Sequence, residues 1–293
     1  MREIVVISGK GGTGKTSLTA SFALLAKTAV LADCDVDAAD LHLILTPTVR
    51  EFHDFWSGHE AVIDPQLCTP HGVCSRLCRF DAIGKKDGKY HVDSTACEGC
   101  GVCAHFCPHG AIEMQERLCG VWMSSDTRAG PMIHAKLGVA AENSGKLVSL
   151  VRQEARRLAE ETQRETILID GPPGIGCSAI ASITGASAVV MVTEPSMSGE
   201  HDLMRALELT RHFNVPAFVC INKWDICPEM AARIETRAAA AGAIVLGRVR
   251  YDGGVTEAQK QAKAVVETGA PCAGDIEDIW NTLQQNIGKD TLT

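Results

Sequence analysis

The sequence predicts an α/β fold in which helices cover both faces of a mostly parallel sheet, with a small second domain inserted in the chain. Short apolar runs alternate with helix-like stretches, as expected for strands that are buried on both faces. A cysteine-rich segment without long apolar runs interrupts this pattern. The apolar runs are residues 3–7, 29–33, 166–170, 187–193, 216–222 and 243–247.

Helix-like stretches separate most of these runs and supply the crossovers that parallel strands require. They are residues 15–27, 146–161, 199–212 and 229–241. A last stretch, residues 275–287, places its apolar side chains on one helical face, which is typical of a helix packed on a core. A membrane-binding helix is the alternative, but acids occupy the opposite face, where binding to anionic lipid requires basic residues.

Charge and hydropathy argue against several classes of protein. The 293 residues carry 28 Lys and Arg against 36 Asp and Glu, a formal charge of −8. General binding to nucleic acid requires a basic face, and no apolar run reaches the roughly 18–20 residues that span a bilayer. The first residues run from a strand pattern into a glycine loop, a pattern that predicts no secretory signal. We therefore expect a cytoplasmic protein with no nucleic-acid partner and no stable membrane insertion.

A cluster of cysteines identifies the predicted inserted domain. The chain has 13 cysteines, and seven of them fall within residues 58–114. In a reducing compartment, clustered cysteines more often bind metal than form disulfides. We therefore expect residues 58–114 to form a metal-binding domain, inserted between residues 1–57 and residues 115–293 of one α/β domain.

The inserted segment contains an internal repeat. Residues 63–83 align with residues 92–112 at an offset of 29, and three cysteine positions coincide. The second half has the run C-x₂-C-x₂-C-x₃-C-P. In bacterial ferredoxins, three thiolates of this run hold one [4Fe–4S] cluster and the fourth holds the neighbouring cluster. Zinc sites usually use two separated C-x₂-C pairs, so the spacing predicts a ferredoxin-like domain with two clusters.

This crossed pattern assigns a set of ligands to each cluster. The first set, for a [4Fe–4S] cluster, is Cys97, Cys100, Cys103 and Cys78. The second set is Cys68, Cys74 and Cys107, with His71 at the position where the other half has Cys100. Three alternatives remain for the second set: His71 binds iron of a [4Fe–4S] cluster, the site holds [3Fe–4S], or the site is labile. Imidazole ligation tends to raise a cluster's reduction potential.

A glycine loop predicts a nucleotide site of the P-loop type. The segment GKGGTGKT fits G-x-x-x-x-G-K-[ST] and lies between a strand and a helix, which is the context that supports the motif. Backbone N–H groups of such a loop face the phosphates. Lys15 is expected to contact the β- and γ-phosphates, and Thr16 to bind Mg²⁺. The expected ATP contacts in the loop are Gly9, Gly11, Gly12, Thr13, Gly14, Lys15 and Thr16.

Acidic residues follow two of the predicted strands. Asp170 closes the strand of LIDGPPG and is expected to reach Mg²⁺ through water, as a Walker-B acid. Gly174 is expected to offer its N–H to the γ-phosphate and to sense hydrolysis. Four acids follow the second strand, where carboxylates can handle Mg²⁺ or the attacking water: Asp33, Asp35, Asp37 and Asp40.

The loop has a second lysine, Lys10, and its signature KGGxGKT resembles the MinD/ParA group of deviant Walker-A ATPases. The resemblance implies that Lys10 crosses a dimer interface to the partner's nucleotide and that Asp35 positions the attacking water. It also implies that Asn222 recognises the adenine edge and that residues 247–252 complete the base pocket. Lys10, Lys15 and Asp35 are then the catalytic residues of an ATPase that acts as a homodimer or as a heterodimer with a related ATPase.

Nearly the whole chain resembles one branch of the MinD superfamily, in which a ferredoxin domain is inserted into the P-loop ATPase. The stretches 122–152 and 193–205 share this resemblance. It implies ATP, Mg²⁺ and iron–sulfur cofactors, and a redox or iron–sulfur partner protein. Cys177 lies seven residues after Asp170, a spacing similar to that of a cluster ligand in the nitrogenase iron protein. Cys177 and Cys119 are therefore either ligands of a bridging cluster or ordinary packing thiols.

Three functions of different classes fit these features. The first is an ATPase that couples nucleotide state to electron transfer through ferredoxin-type clusters, which complete cysteine ligation favours. The second is an iron–sulfur carrier or assembly scaffold, for which the His71 position leaves room, although no C-terminal C-x-x-C is present. The third is a positioning ATPase for DNA or membrane complexes, against which the acidic charge counts.

Overall fold

The computed structural model describes residues 1–138, 141 and 144–287. Within these residues the strands are β1 (Arg2–Ser8), β2 (Ala29–Asp33), β3 (Thr48–Ile63), β4 (Ile83–Lys86), β5 (Lys89–Val92), β6 (Ile112–Thr127), β7 (Gly130–Leu137), β8 (Thr166–Pro173), β9 (Ala188–Thr193), β10 (Ala217–Asn222) and β11 (Ile244–Val249). The α-helices are α1 (Lys15–Ala26), α2 (Leu41–Leu45), α3 (Val73–Leu77), α4 (Val102–His105), α5 (Ser144–Glu161), α6 (Cys177–Ile183), α7 (Met197–His212), α8 (Pro228–Ala240), α9 (Gly254–Lys260) and α10 (Cys272–Ile287).

A nine-stranded sheet organises the larger part of the chain. Its strand order is β11-β10-β9-β1-β8-β2-β7-β6-β3, and β4 pairs with β5 in a separate two-stranded sheet. The pairs from β11 through to β7 are parallel. The six apolar runs became β1, β2, β8, β9, β10 and β11, because strands buried on both faces carry few polar side chains. The predicted α/β class with a mostly parallel sheet is confirmed.

The chain divides into two compact units. The larger unit comprises Met1–Phe52, Trp122–Lys136 and the described residues from Ser144 onward. The smaller unit comprises His53–Val121 and the described residues that follow from Leu137. The divisions at 52/53 and 121/122 fall inside β3 and β6, strands of 16 residues each. The boundaries predicted from the sequence, at residues 58 and 114, also fall inside these two strands.

The terminal helix α10 packs on the core. Its apolar face is buried, and the Trp280 ring lies 5.0 Å from the Phe22 ring of α1, measured between centroids. Each fully buried side chain of this size contributes about 1.5–3 kcal/mol of hydrophobic stabilisation. The predicted packing role is confirmed for Ile276, Ile279, Trp280, Leu283 and Ile287. Among the described residues, no helix combines the length and the hydropathy needed to cross a membrane.

A buried histidine, His134, lies on β7 opposite Asp33 of β2. Its Nε2 is 2.8 Å from the hydroxyl oxygen of Ser125 on β6, and its side chain is removed from water. Burial lowers the pKa of His134 to about 4, with a further contribution from His42. The folded protein therefore holds a neutral ring at a pH where a solvent-exposed histidine is charged.

Acid should destabilise the protein through His134. In the unfolded chain a histidine has a pKa near 6.5, so unfolding takes up a proton between pH 6.5 and pH 4. This stability is present above pH 6.5 and is lost as the pH falls toward 4. From pH 7 to pH 5 we expect His134 to account for a loss of about 2 kcal/mol in the free energy of unfolding.

Denaturant titrations of the wild type and of His134→Gln at pH 7 and pH 5 measure this contribution. The glutamine amide keeps an oxygen that can accept from Ser125, but it does not titrate. We expect the variant to lose about 2 kcal/mol less than the wild type over this interval. Equal losses in the two proteins would contradict the assignment to His134.

Candidate functional site

The carboxyl ends of neighbouring strands bring the predicted nucleotide residues together. The glycine loop connects β1 to α1, Asp33 ends β2, and Asn222 ends β10. Asp170 lies on β8 in register with Asp33. Ligands of parallel α/β sheets bind at this edge, because loops there can diverge while the strands hold them in place.

Lys15 lies among carboxylates at the base of the loop. Its Nζ is 2.8 Å from Oδ1 of Asp170 and 3.4 Å from Oδ2 of Asp35. Burial alone would lower the pKa of Lys15, but the charges of Asp170 and Asp35 outweigh burial and raise it. Burial also raises the pKa of Asp35, which Lys15 partly opposes. Lys15 is therefore a fixed ammonium group, placed where a phosphate chain would enter.

The predicted Mg²⁺ residues are adjacent. The Thr16 hydroxyl donates to Oδ2 of Asp170 at 2.9 Å, and the Thr19 hydroxyl donates to Oδ1 at 2.9 Å. Hydroxyl and carboxylate oxygens are the ligands that Mg²⁺ prefers, so Thr16 and Asp170 fit the ion. Thr19 was not predicted from the sequence, because its contact depends on the distance between α1 and β8.

Two buried polar atoms of this site have no partner within the described residues. They are Oγ1 of Thr13 and Oδ2 of Asp33. Burial, followed by the charge of Asp170, raises the pKa of Asp33 well above its usual range. An unsatisfied buried polar group costs about 1–3 kcal/mol. A site that leaves such atoms unpaired is suited to a polar ligand, which fits a magnesium nucleotide.

Two adjoining cavities flank the glycine loop. The first, about 730 Å³, is lined by the loop and by Asp35 and Asp40. The second, about 780 Å³, is lined by Asn222, Lys223 and residues 249–252, which the resemblance assigned to the base pocket. Gly12, Gly14, Ser17 and Gln259 line both cavities. The shared residues place the two cavities side by side along the glycine loop, and a base site at Asn222 stays a prediction.

Asn222 also braces the loop. Its Nδ2 donates to the carbonyl oxygen of Thr13 at 2.7 Å, and its Oδ1 accepts from the N–H of Lys223 at 2.9 Å. Gly14 adopts φ +92°, and a Cβ there would lie 2.3 Å from Nδ2 of Asn222. Glycine is therefore required at this position. Recognition of adenine by Asn222 stays a prediction, for which its second Nδ2 hydrogen is available.

The Lys10 side chain forms an ion pair and a hydrogen bond with residues of its own chain in this structure. Its Nζ is 2.6 Å from Oε1 of Glu194 and donates to the Ser198 hydroxyl at 3.0 Å. Burial would raise the pKa of Glu194, but the hydrogen bonds and positive charges of Lys10 and Lys223 together outweigh burial and lower it. Lys10 must leave Glu194 before it can reach a partner subunit. The sequence did not predict Glu194 or Ser198, which lie far from Lys10 along the chain.

The backbone N–H of Gly174 also forms a hydrogen bond within the chain. Its N–H donates to the carbonyl oxygen of Ser8 at 2.8 Å, and its φ is +87°. A contact between this N–H and a γ-phosphate therefore requires the Ser8 bond to open. The role of Gly174 as a sensor stays a prediction, with the Ser8 bond as the contact that would change.

Two further cavities lie in the smaller unit. The first cysteine cavity, about 330 Å³, is lined by Cys78, Cys97, Cys100 and Cys103, among other residues. The second cysteine cavity, about 270 Å³, is lined by Cys68, Cys74, Cys107 and His71, among other residues. Each cavity is thus lined by one of the two sets of side chains that the crossed pattern assigned to two clusters. Their identity as cluster ligands stays a prediction.

The repeat is visible in the two cysteine cavities. Ten of the eleven residues around the second cavity have a counterpart around the first at the repeat offset of 29. Among the described residues, no group of three or more His, Cys, Asp or Glu side chains converges on one ion position. The thiols of each predicted set line one of the two cysteine cavities.

Local contacts of the thiols also fit clusters. The N–H of Ala111 donates to Sγ of Cys107 at 3.3 Å, and hydrogen bonds to ligand sulfur tune cluster potentials. Burial raises the pKa of the Cys74 and Cys103 thiols. A bound metal would reverse this effect, since a coordinating thiol is deprotonated.

The two cysteines considered for a bridging cluster have different surroundings. Cys119 is buried, and its Sγ donates to the carbonyl oxygen of Ser57 at 2.9 Å. Cys177 is exposed and begins α6. The contact with Ser57 is that of an ordinary packing thiol. A bridging cluster remains an untested alternative.

The parallel sheet, the glycine loop between β1 and α1 and the carboxylates at the strand ends define a P-loop nucleotide-binding protein. Residues 4–265 match the CobQ/CobB/MinD/ParA nucleotide binding domain. The chain belongs to this family, whose MinD/ParA members are generally ATPases.

Individual relatives support both parts of the resemblance. Protein MJ0578 of Methanocaldococcus jannaschii is 32% identical over 224 residues, which cover 75% of this chain and 78% of the relative. The MinC:MinD cell division protein complex of Aquifex aeolicus shares the fold, with a TM-score of 0.58 and 18% identity over 97% of this chain and 96% of that one. Ferredoxin 7Fe of Hydrogenibacillus schlegelii is 29% identical over 63 residues, 22% of this chain and 81% of the ferredoxin.

Proposed function

We propose that the protein hydrolyses ATP to ADP and phosphate as a dimer and couples its nucleotide state to electron transfer through two ferredoxin-type clusters. The observation that carries the proposal is the occurrence, in one chain, of a nucleotide cleft and two cavities surrounded by cysteines. Its partners would be a second ATPase subunit and a redox protein, and its compartment the cytoplasm.

In the nucleotide cleft each residue has a separate task. Lys15 holds the β- and γ-phosphates, and Asp35 orients the attacking water. Thr16 and Asp170 would hold Mg²⁺, and the ion would supply positive charge beside the phosphates. Lys10 of the partner subunit supplies a further positive charge, by analogy with arginine fingers that act in trans. The observed contacts of Lys15 with Asp170 and Asp35 support this division, because they keep Lys15 at the base of the loop.

The smaller unit provides the electron-transfer part of the proposal. Cys78, Cys97, Cys100 and Cys103 would hold a [4Fe–4S] cluster, and Cys68, Cys74 and Cys107 would hold a second cluster with a histidine nearby. Bound clusters of this type supply one-electron transfer. Burial of Cys97 and Cys103 limits solvent access on one side, while the exposed Cys100 leaves an edge open to a redox partner.

A route for coupling runs across the sheet of the larger unit. Asp35 follows β2, whose Asp33 lies opposite His134 of β7, and His134 contacts Ser125 of β6. The chain passes from the smaller unit to the larger one along β6 and leaves it again at the end of β7. A displacement of the Asp35 segment on hydrolysis would therefore act first on β7 and β6, two of the strands along which the chain passes between the units.

An iron–sulfur carrier or assembly scaffold is the second candidate. The observation that favours it is the exposure of Cys100 and His71 at the cysteine cavities, since a cluster that is handed to another protein must be reachable. A transfer assay to an apo-acceptor distinguishes the two candidates, because an electron carrier keeps its clusters.

An anaerobic redox titration followed by EPR, with and without MgATP, tests the coupling. We expect MgATP to shift the midpoint potential of at least one cluster, because the proposal makes the Asp35 segment, which lines the loop cavity, respond to the bound nucleotide. Lys15→Ala is the matched control, since it should keep its clusters and lose the shift. Potentials that do not respond to nucleotide, together with an ATPase rate that does not respond to reduction, would reject the coupling.

A further inference from the structure

The two cysteine cavities differ at positions that the repeat makes equivalent. Where the first cavity has Cys100 and Phe80, the second has His71 and His109. Compared with the first cavity, the second therefore has one thiol fewer and two imidazoles more. Their ring centroids are 5.5 Å apart, with the ring planes tilted by 32°. The first cavity therefore contains no imidazole, whereas the second contains two that lie side by side.

His71 occupies the ligand position of the motif, but its ring is already hydrogen-bonded. The N–H of Val73 donates to Nδ1 of His71 at 3.3 Å. A neutral imidazole that accepts through Nδ1 carries its proton on Nε2. In this arrangement neither nitrogen of His71 presents a free lone pair to iron.

No hydrogen bond within the described residues occupies a ring nitrogen of His109. His109 lines the second cavity, and its ring makes no hydrogen bond to the part of the chain that the structure describes. Only Pro108 separates it from Cys107, which lines the same cavity and whose Sγ accepts from Ala111. One tautomer of a neutral His109 leaves Nε2 free to bind metal, and the other leaves Nδ1 free.

We propose that His109, and not His71, is the fourth iron ligand of the second cluster, with Cys68, Cys74 and Cys107 as the other three. His71 then binds no iron; its ring lies against the His109 ring and accepts a hydrogen bond from the N–H of Val73. The inference rests on the proposed function, because it takes a cluster in the second cavity as given. Imidazole is an established replacement for thiolate in iron–sulfur centres.

Pulsed EPR of the reduced, iron-replete protein tests the assignment, because a nitrogen bound to iron gives a strong hyperfine coupling that ¹⁵N-labelled histidine changes. The wild type should show this coupling and contain about eight irons. His109→Phe introduces the residue that stands at the equivalent position of the first cavity, Phe80. It should lose the coupling and retain about seven irons, whereas His71→Ala should keep both the coupling and about eight irons.

The opposite pattern, in which His71→Ala loses the coupling and His109→Phe keeps it, overturns the proposal. A wild type that contains about eight irons but shows no nitrogen coupling also overturns it. A wild type with about seven irons does so too, and seven is the number in the name of the ferredoxin relative. The cluster of the first cavity is the internal control and should be unchanged in both variants. Its absence in the wild type would reject the proposed function itself, so failure of the function and failure of the His109 assignment are separable.

Discussion

A mixture of two inactive variants, Lys10→Ala and Asp35→Ala, should regain about a quarter of the wild-type ATPase activity if the protein is a symmetric dimer. Each variant alone should be inactive, Lys10→Ala by about 10³–10⁵-fold if its charge acts as an arginine finger does. In a mixed dimer, one site combines its own Asp35 with the partner's Lys10, while the other site lacks both. Random pairing makes about half of the dimers mixed, and each of these has one intact site of two.

The contacts of the two loop lysines explain why only one of them should act in trans. The Lys15 side chain is 7% exposed and lies between Asp35 and Asp170. Lys10 is 32% exposed and is held by Glu194, which also contacts Lys223. Loss of the Lys10–Glu194 pair costs little in solvent, whereas removing Lys15 from its carboxylates would leave buried charges unpaired. Lys10 is therefore the lysine that can leave its own chain.

A second mixture provides the matched control. Lys15 and Asp35 both belong to the cleft of their own subunit, so mixing Lys15→Ala with Asp35→Ala should leave both sites of a mixed dimer defective. This mixture should stay inactive at any ratio. If the Lys10→Ala and Asp35→Ala mixture also stays inactive while both variants form dimers, Lys10 acts within its own subunit and the proposed arrangement in trans is wrong.

The sequence predicted six strands of the nine-stranded sheet, but not β3, β6 or β7, although the middle of β7 is buried. Most residues of β3 are exposed, and charged side chains occur along its length. β6 likewise mixes exposed and buried positions without a continuous apolar run. Such strands are stabilised by pairing with strands that are distant in the chain. Local hydrophobic periodicity therefore contains little information about them, and the predicted insertion boundaries fell within them.

In the candidate site, too, residues in contiguous motifs were predicted, and residues that depend on contacts between distant parts of the chain were not. Lys15, Thr16 and Asp170 were predicted because the chemistry of phosphate binding constrains short, contiguous motifs. Glu194, which holds Lys10, lies 184 positions away and belongs to no such motif. His109 could have been found from the sequence, since the repeat places it opposite Phe80. Its relation to His71, however, depends on the distance between two rings in the folded chain.

Cys78→Ala and Cys100→Ala should remove the same cluster, although the two cysteines belong to opposite halves of the repeat. Both side chains line the first cysteine cavity. Cys107→Ala should remove the other cluster, because Cys107 lines the second cavity. Each variant should lose up to about four irons. The two variants of the first cavity should lose the same EPR signal and keep the one that Cys107→Ala loses.

Cys119→Ala is the matched control for these variants. Its thiol is also buried, but it donates to the carbonyl oxygen of Ser57 and lines neither cysteine cavity. It should therefore keep both signals and all of its iron. If Cys100→Ala and Cys107→Ala instead removed one signal and Cys78→Ala the other, each half of the repeat would hold its own cluster and the crossed assignment would be wrong. With crossed ligands, neither half can complete a cluster alone, so each cluster links the two halves and contributes to the stability of the smaller unit.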